Sequence, residues 1–223
     1  MPCIAWRGSL DLLALQRAFP TQFPHVCYTG AQQQGWHILF ALPQASQTAH
    51  DAASALTCLH TWDEAWHQVN ETVAQDIPAF LPFRGGWFAY AAYELLHAFE
   101  PSVKPSHALP IDLPLLVIQA IPAAIVQSAD RQQTWLIAQT AHQMTLLSQL
   151  IAAAPQTPLA TPLILGELHE DDPACFLTGV ERIHDYIRAG DSFQVNLSRQ
   201  WEITCESSAA AVFTRSEEHT SEL

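Results

Sequence analysis

The sequence predicts an α+β protein in which antiparallel β-sheets pack together with flanking helices. Three observations lead there. Short apolar runs of strand length lie on either side of turn-forming residues, most plainly across 123–138. Other stretches repeat apolar residues at three and four positions and carry capping residues at their ends. At 223 residues and 49% hydrophobic content the chain can bury a core.

Ser9 is placed to cap a first helix in which Leu12, Leu13, Leu15 and Phe19 share a face and Pro20 ends the run. Val26–Tyr28 and Trp36–Leu42 are apolar runs separated by Gly30 and the polar Gln32–Gln34, the pattern of a hairpin. Thr61 and Glu64 have the spacing of a capping box, which predicts a helix from Trp62 to about Ala74, with Pro78 and Pro82 beyond it. Gly85 and Gly86 permit close backbone packing ahead of a strand at Trp87–Tyr90, and Tyr93, Leu96 and Phe99 follow at helical spacing. Leu115–Gln119, Ala123–Gln127 and Thr134–Ala138 have strand character, the last two forming a hairpin across Ser128–Gln133. Met144, Leu147, Leu150 and Ile151 mark another helix, and Pro155, Pro158 and Pro162 stiffen the connector after it.

Asp172 as N-cap, Pro173 at the first helical position, an apolar stripe of Phe176, Val180, Ile183 and Ile187, and Gly190 as a left-handed cap define the best-marked helix of the chain. Directly after it, Phe193, Val195 and Leu197 alternate with Gln194, Asn196 and Ser198, predicting a strand that runs on towards Trp201 and Ile203. These boundaries give a first domain at 1–153, a linker at 154–170 and a second domain from 171.

Nine Lys and Arg against 22 Asp and Glu give a formal charge of −13, which repels nucleic-acid phosphates and anionic lipid and argues against both as partners. The longest apolar stretch, Leu113–Val126, is short and broken by Gln119 and Pro122, so no membrane span is expected. The first twenty residues lack a signal-peptide pattern, and the five scattered cysteines, Cys3, Cys27, Cys58, Cys175 and Cys205, fit a reducing compartment; a cytoplasmic protein is expected. His60 and His67, or His97 and His107, lack the spacing and companions of a zinc site, so no metal site is expected. No glycine-rich phosphate loop and no nucleophile elbow is present. Glu170, Asp171 and Asp172 sit where the first turn of a helix favours negative charge, which accounts for them without magnesium. Gln194 and Asn196 project to one side of their predicted strand, where they either line a polar pocket or bond neighbouring backbone, the second being the simpler. Trp36, Trp87 and Trp201 read as core residues.

The stretch Tyr186-Ile-Arg-Ala-Gly-Asp-Ser-Phe-Gln-Val-Asn-Leu-Ser198, with Gly190, Asp191, Gln194 and Asn196, resembles the signature that enters the chorismate-binding domain of anthranilate synthase and aminodeoxychorismate synthase large subunits. Phe83–Leu95, with Gly85 and Gly86, is similar to the family's double-glycine segment, and Gly35–Pro43 to its early strand. The resemblance covers nearly all of residues 9–203. The Gly-Gly-Trp-Phe form and the Ile121-Pro-Ala-Ala hairpin look more like aminodeoxychorismate synthase component I than anthranilate synthase.

The resemblance implies an anthranilate synthase component I-like fold, truncated, with 171–214 as the start of a chorismate-binding domain. It implies an enzyme that aminates chorismate to 4-amino-4-deoxychorismate, towards para-aminobenzoate and folate, using Mg2+ and ammonia from a glutamine amidotransferase (glutaminase) subunit or fused domain. Anthranilate synthase component I and a non-catalytic binding module are the alternatives. The family's catalytic and magnesium-binding residues lie in a later half, including the lysine nucleophile of its Pro-Ile-Lys-Gly-Thr segment. No catalytic residue is therefore expected within this chain, which alone is expected to be inactive. The family's amino-terminal domain also holds a tryptophan pocket with a Leu-Leu-Glu-Ser motif. Here the matching stretch is Val26-Cys-Tyr-Thr29, so Cys27, Thr29 and Trp36 are the expected wall residues, and Tyr28 takes the place of the acid. Weak or absent tryptophan inhibition is the consequence.

The last nine residues, Arg215–Leu223, are polar, lack periodicity and match the in-frame translation of a sequencing-library adapter. They are expected to be foreign, with the natural frame continuing past Thr214 into later sheet partners of the 193–203 strand. Without those partners the fragment is expected to be poorly soluble.

Overall fold

The computed structural model describes residues 3–29, 35–69, 77–100, 102–103, 113–154, 164–209, 211–213 and 215. The turn at Gly30 and Gln32–Gln34, the expected helix end near Ala74, the prolines Pro155, Pro158 and Pro162, Thr214 and nearly all of the terminal tail lie outside them. The fold is α+β, and the chain divides into two compact units, Met1–Pro158 and Leu159–Leu223.

The first unit is built in four layers. Its larger sheet joins β1 (Cys3–Trp6), β2 (His25–Thr29), β3 (Trp36–Ala41), β7 (Ala123–Ser128) and β8 (Thr134–Ala138) in the order β1-β8-β7-β3-β2, antiparallel throughout. A smaller sheet has β6 (Leu116–Ile121) between β4 (Ser46–Ala49) and β5 (Gly86–Ala91). Strand parity sorts the side chains. Leu39, Ile125 and Leu136 face α1 (Leu12–Ala18) and α4 (Ala141–Ala153), packing with Leu12, Leu15, Met144, Leu147 and Ile151. Ile38, Phe40, Val126 and Ile137 face the smaller sheet and its Phe88 and Ile121. On the far side of that sheet, Trp87, Leu116 and Ile118 pack against Ala55, Leu59 and Trp62 of α2 (Ala52–Val69) and against Leu95 and Ala98, from a 3₁₀ turn (Tyr93–Leu95) that leads into α3 (Leu96–Phe99).

Two helix starts differ from the sequence reading. The cap of α1 is Asp11, whose carboxylate accepts from the Ala14 N–H at 2.9 Å, and not Ser9. Ser9 and the Leu10 carbonyl instead accept from the Gln127 amide, a fully buried side chain that also bonds Thr134 Oγ1 at 3.1 Å. Helix α2 starts ten residues before the expected Trp62, where the Asp51 carboxylate accepts from the Ser54 N–H at 2.9 Å. Thr61 lies inside the helix and donates to the Thr57 carbonyl at 3.0 Å, so the Thr61–Glu64 capping box does not form. The one capping box present among the described residues is Thr140–Gln143 at the head of α4.

The second unit pairs β9 (Leu165–Glu170) with β10 (Trp201–Cys205) and carries α5 (Pro173–Ala189) between them in sequence. The α5 caps are as expected: the Asp172 carboxylate accepts from the Ala174 N–H, Pro173 opens the helix, and Gly190 closes it at φ 83°. Leu165–Glu170, the end of the stretch expected to be a linker, is a strand. The strand expected from Phe193 begins only at Trp201, because alternation chooses a face whereas pairing makes a strand, and β9 reaches no further than Trp201. Phe193 is 94% exposed. No helix among the described residues is long and apolar enough to cross a membrane.

Candidate functional site

The three residues expected to wall a pocket lie on one face of the β2–β3 hairpin, turned towards the smaller sheet. Cys27 stands opposite Ile38 and Thr29 opposite Trp36, and both Cys27 and Trp36 pack on the core layer between the sheets. The Thr29 hydroxyl accepts from the Trp36 N–H at 3.3 Å and donates to the Trp36 carbonyl at 3.4 Å, so its proton is already used and one lone pair is left. The Trp36 ring stacks with Phe80 at 6.3 Å, and Phe80 meets Trp135 edge-on at 5.7 Å. Tyr28 turns to the opposite face, where its ring stacks on His37 at 4.0 Å.

The sequence reading missed His25, two residues before Cys27 and on the same face. Its imidazole stacks on Phe88 of β5 at 3.7 Å between ring centres, nearly parallel, and its Nε2 shares a 2.9 Å hydrogen bond with the Gln119 side-chain oxygen on β6. One side chain thus ties the two sheets together. Period two alone would have placed His25 beside Cys27, but nothing local names its partners on the other sheet. Burial lowers the His25 pKa, with the Gln119 bond opposing in part, and burial together with Arg131 lowers that of His37. Both rings therefore favour the neutral form in the fold, which binds fewer protons than the unfolded chain. Stability should be whole above about pH 6.5 and fall as the pH drops from there through the depressed folded-state values. Melting temperatures between pH 8 and 5 test this: His25→Phe should show a shallower acid slope than the parent, and an unchanged slope would remove His25 as a cause.

Gly85 and Gly86, from the double-glycine segment, have φ +100° and +144° and lead into β5. That entry turns Trp87 to the α2 side and Phe88 inward onto His25. A Cβ on Gly85 would stand 3.1 Å from the Gln139 amide nitrogen.

In the second unit, Gly190 and Asp191 close α5 together: the Gly190 N–H bonds the Ile187 and Tyr186 carbonyls, and the Asp191 N–H reaches the Tyr186 carbonyl at 3.0 Å. Gln194 and Asn196 are exposed and lie outside any strand. Beyond them, Arg199 pairs with Glu170 and lies over the Trp201 ring at 4.8 Å, and the Trp201 indole N–H donates to the same Glu170 oxygen at 2.9 Å. Phe176, Leu197, Ser198, Arg199 and Trp201 line an open groove of about 450 Å³. Leu197 packs directly on the backbone of α5, where a Cβ on Gly179 would meet its methyl at 2.9 Å.

A profile of the family described as chorismate binding enzyme matches residues 24–222, most of the chain. The chain belongs to that family. It is similar to an anthranilate synthase component I-like protein of Synechocystis, 29% identical over 138 residues, 59% of this chain and 27% of that protein. It is also 32% identical over 141 residues to anthranilate synthase component 1 of Salmonella typhimurium, 59% of this chain and 26% of that protein. The chain therefore spans about a quarter of the length of these curated relatives.

Among the described residues no three His, Cys, Asp or Glu side chains converge on a common point. The guanidinium of Arg199 in the groove of the second unit is already neutralised by Glu170, which leaves no net positive charge there for a dicarboxylate.

Proposed function

We propose that the chain is the amino-terminal part of an aminodeoxychorismate synthase component I. The full enzyme would aminate chorismate to 4-amino-4-deoxychorismate in the cytoplasm, with Mg2+ and with ammonia from a glutaminase partner. In this reading residues 1–153 form the amino-terminal domain, 154–170 lead across and supply β9 to the second unit, 171–214 open the chorismate-binding domain with Gly190, Asp191, Gln194 and Asn196, and 215–223 are foreign. Cys27, Thr29 and Trp36 wall the amino-terminal pocket. The observation that carries the reading is the Gly85-Gly86-Trp87-Phe88 entry into β5, whose form resembles aminodeoxychorismate synthase component I more than anthranilate synthase.

Anthranilate synthase component I is the second reading, supported by the names of both relatives. The test is product analysis. The complete reading frame is recovered, and its protein is supplied with chorismate, Mg2+ and ammonium. Chromatography is expected to show 4-amino-4-deoxychorismate; anthranilate as the product would establish the second reading, and no aminated product would remove both. The 223-residue chain in the same assay is expected to give no turnover, and measurable turnover would overturn its placement as a non-catalytic part.

A further inference from the structure

The first unit carries a second concavity, simpler in chemistry and separate from the face that holds Cys27, Thr29 and Trp36. It is a groove of about 500 Å³ between α2 and α3, within the size range of small-molecule sites. Leu56 and Leu59 form apolar wall, and the rings of Trp62, Trp66 and Phe99 stand around it. Trp66 is 47% and Phe99 57% exposed, so two aromatic rings are left half in water at one place.

Those rings are held in advance. Trp87 of β5 meets Trp62 edge-on at 6.4 Å and Trp66 tilted at 5.7 Å, so both indoles are buttressed by the sheet beneath them and a ligand would lose little side-chain freedom in meeting them. Asp63, one of the two polar residues of the lining with His60, is 71% exposed on its side chain and only loosely paired, 3.6 Å from His67 one turn on. Aromatic faces carry negative potential and attract cations, a carboxylate adds to that, and the chain as a whole carries −13.

From this we infer that the α2–α3 groove is a binding site for a small organic cation, an ammonium or quaternary ammonium group on an apolar body. The site stands on the geometry of the first unit alone and does not depend on which chorismate reaction the full enzyme performs.

The test is calorimetric titration of the 223-residue chain with benzyltrimethylammonium chloride at low salt, with benzyl alcohol as a neutral aromatic control. Saturable binding of the cation is expected, with the alcohol at least several-fold weaker. Trp66→Ala and Phe99→Ala should each weaken it about threefold to tenfold, and Trp66→Phe should retain most of it. Asp63→Asn should weaken it by a smaller factor and reduce its salt dependence. Because Trp66 and Phe99 are half exposed, circular dichroism of the variants separates lost binding from lost fold. Three results would each overturn the proposal: no saturable binding, equal binding of the alcohol, or parent-like affinity in both alanine variants. A parent chain that sediments as a dimer and becomes monomeric on Trp66→Ala would also overturn it, assigning the groove to a second copy.

Discussion

Leu39→Ala is expected to lower the unfolding free energy of the first unit by about 2 to 5 kcal/mol. Leu39 is fully buried on the interior strand β3, paired with Val26 of β2 on one side and Ile125 of β7 on the other, and its side chain packs in the layer that receives α1 and α4. Both neighbouring strands are fixed to β3 by hydrogen bonds, so the site has little room to collapse around a smaller residue. Since domains are stable by about 5 to 15 kcal/mol, the variant should retain its fold but melt far earlier. Urea titration followed by circular dichroism measures this, with Ile4→Ala as the comparison. Ile4 is 41% exposed on the edge strand β1, and its truncation should cost much less. Equal losses for the two would show that the helix-facing layer is not the principal core.

Gly85→Val should be the most damaging change in the double-glycine segment, at about 1 to 3 kcal/mol. The backbone at φ +100° is one that β-branched residues scarcely adopt, and this strain is present whatever the space around it. The contact with Gln139 adds less, because its amide is the end of a flexible side chain and can move. Gly85→Ala should therefore recover only part of the loss. The same measurement reads the entry of β5, since a shift of Phe88 would unstack His25; a Gly85→Val chain with parent stability and an unchanged acid slope would show that this backbone conformation is not required.

Helix α5 is legible in the sequence because every signal that defines it is local: Asp172, Pro173 and Gly190 act through their own neighbours. The β7–β8 hairpin is legible for the same reason. The start of α2 is misleading because Thr serves two purposes. Thr61 bonds back to Thr57 within a helix, as readily as a threonine caps one, and the true first turn of Ala and Ser carries no apolar period. Strands β1 and β4 span four residues each, and β4 is largely polar, so neither announces itself; both exist through distant partners, β8 and β6. The candidate pocket divides in the same way. Cys27, Thr29 and Trp36 share a face by period two, whereas the contacts of His25 with Gln119 and Phe88 join separate sheets and leave no trace in local spacing. The 193–198 alternation shows the converse, a legible pattern whose pairing partner is absent from the described residues.

The order β1-β8-β7-β3-β2 also bears on how the protein is made. Cys3 pairs with Ile137, more than a hundred residues later, and the Gln127 amide waits on the Leu10 carbonyl across a similar span. A ribosome delivers β1 long before β8 exists, so the nascent chain must carry that strand unpaired through most of the synthesis of the first unit. Contacts so far apart in sequence close slowly, and the intermediate that precedes closure presents the bare edge of β8 to any neighbouring chain. Yield on expression should therefore respond to temperature and translation rate more than the packing of the finished core would suggest.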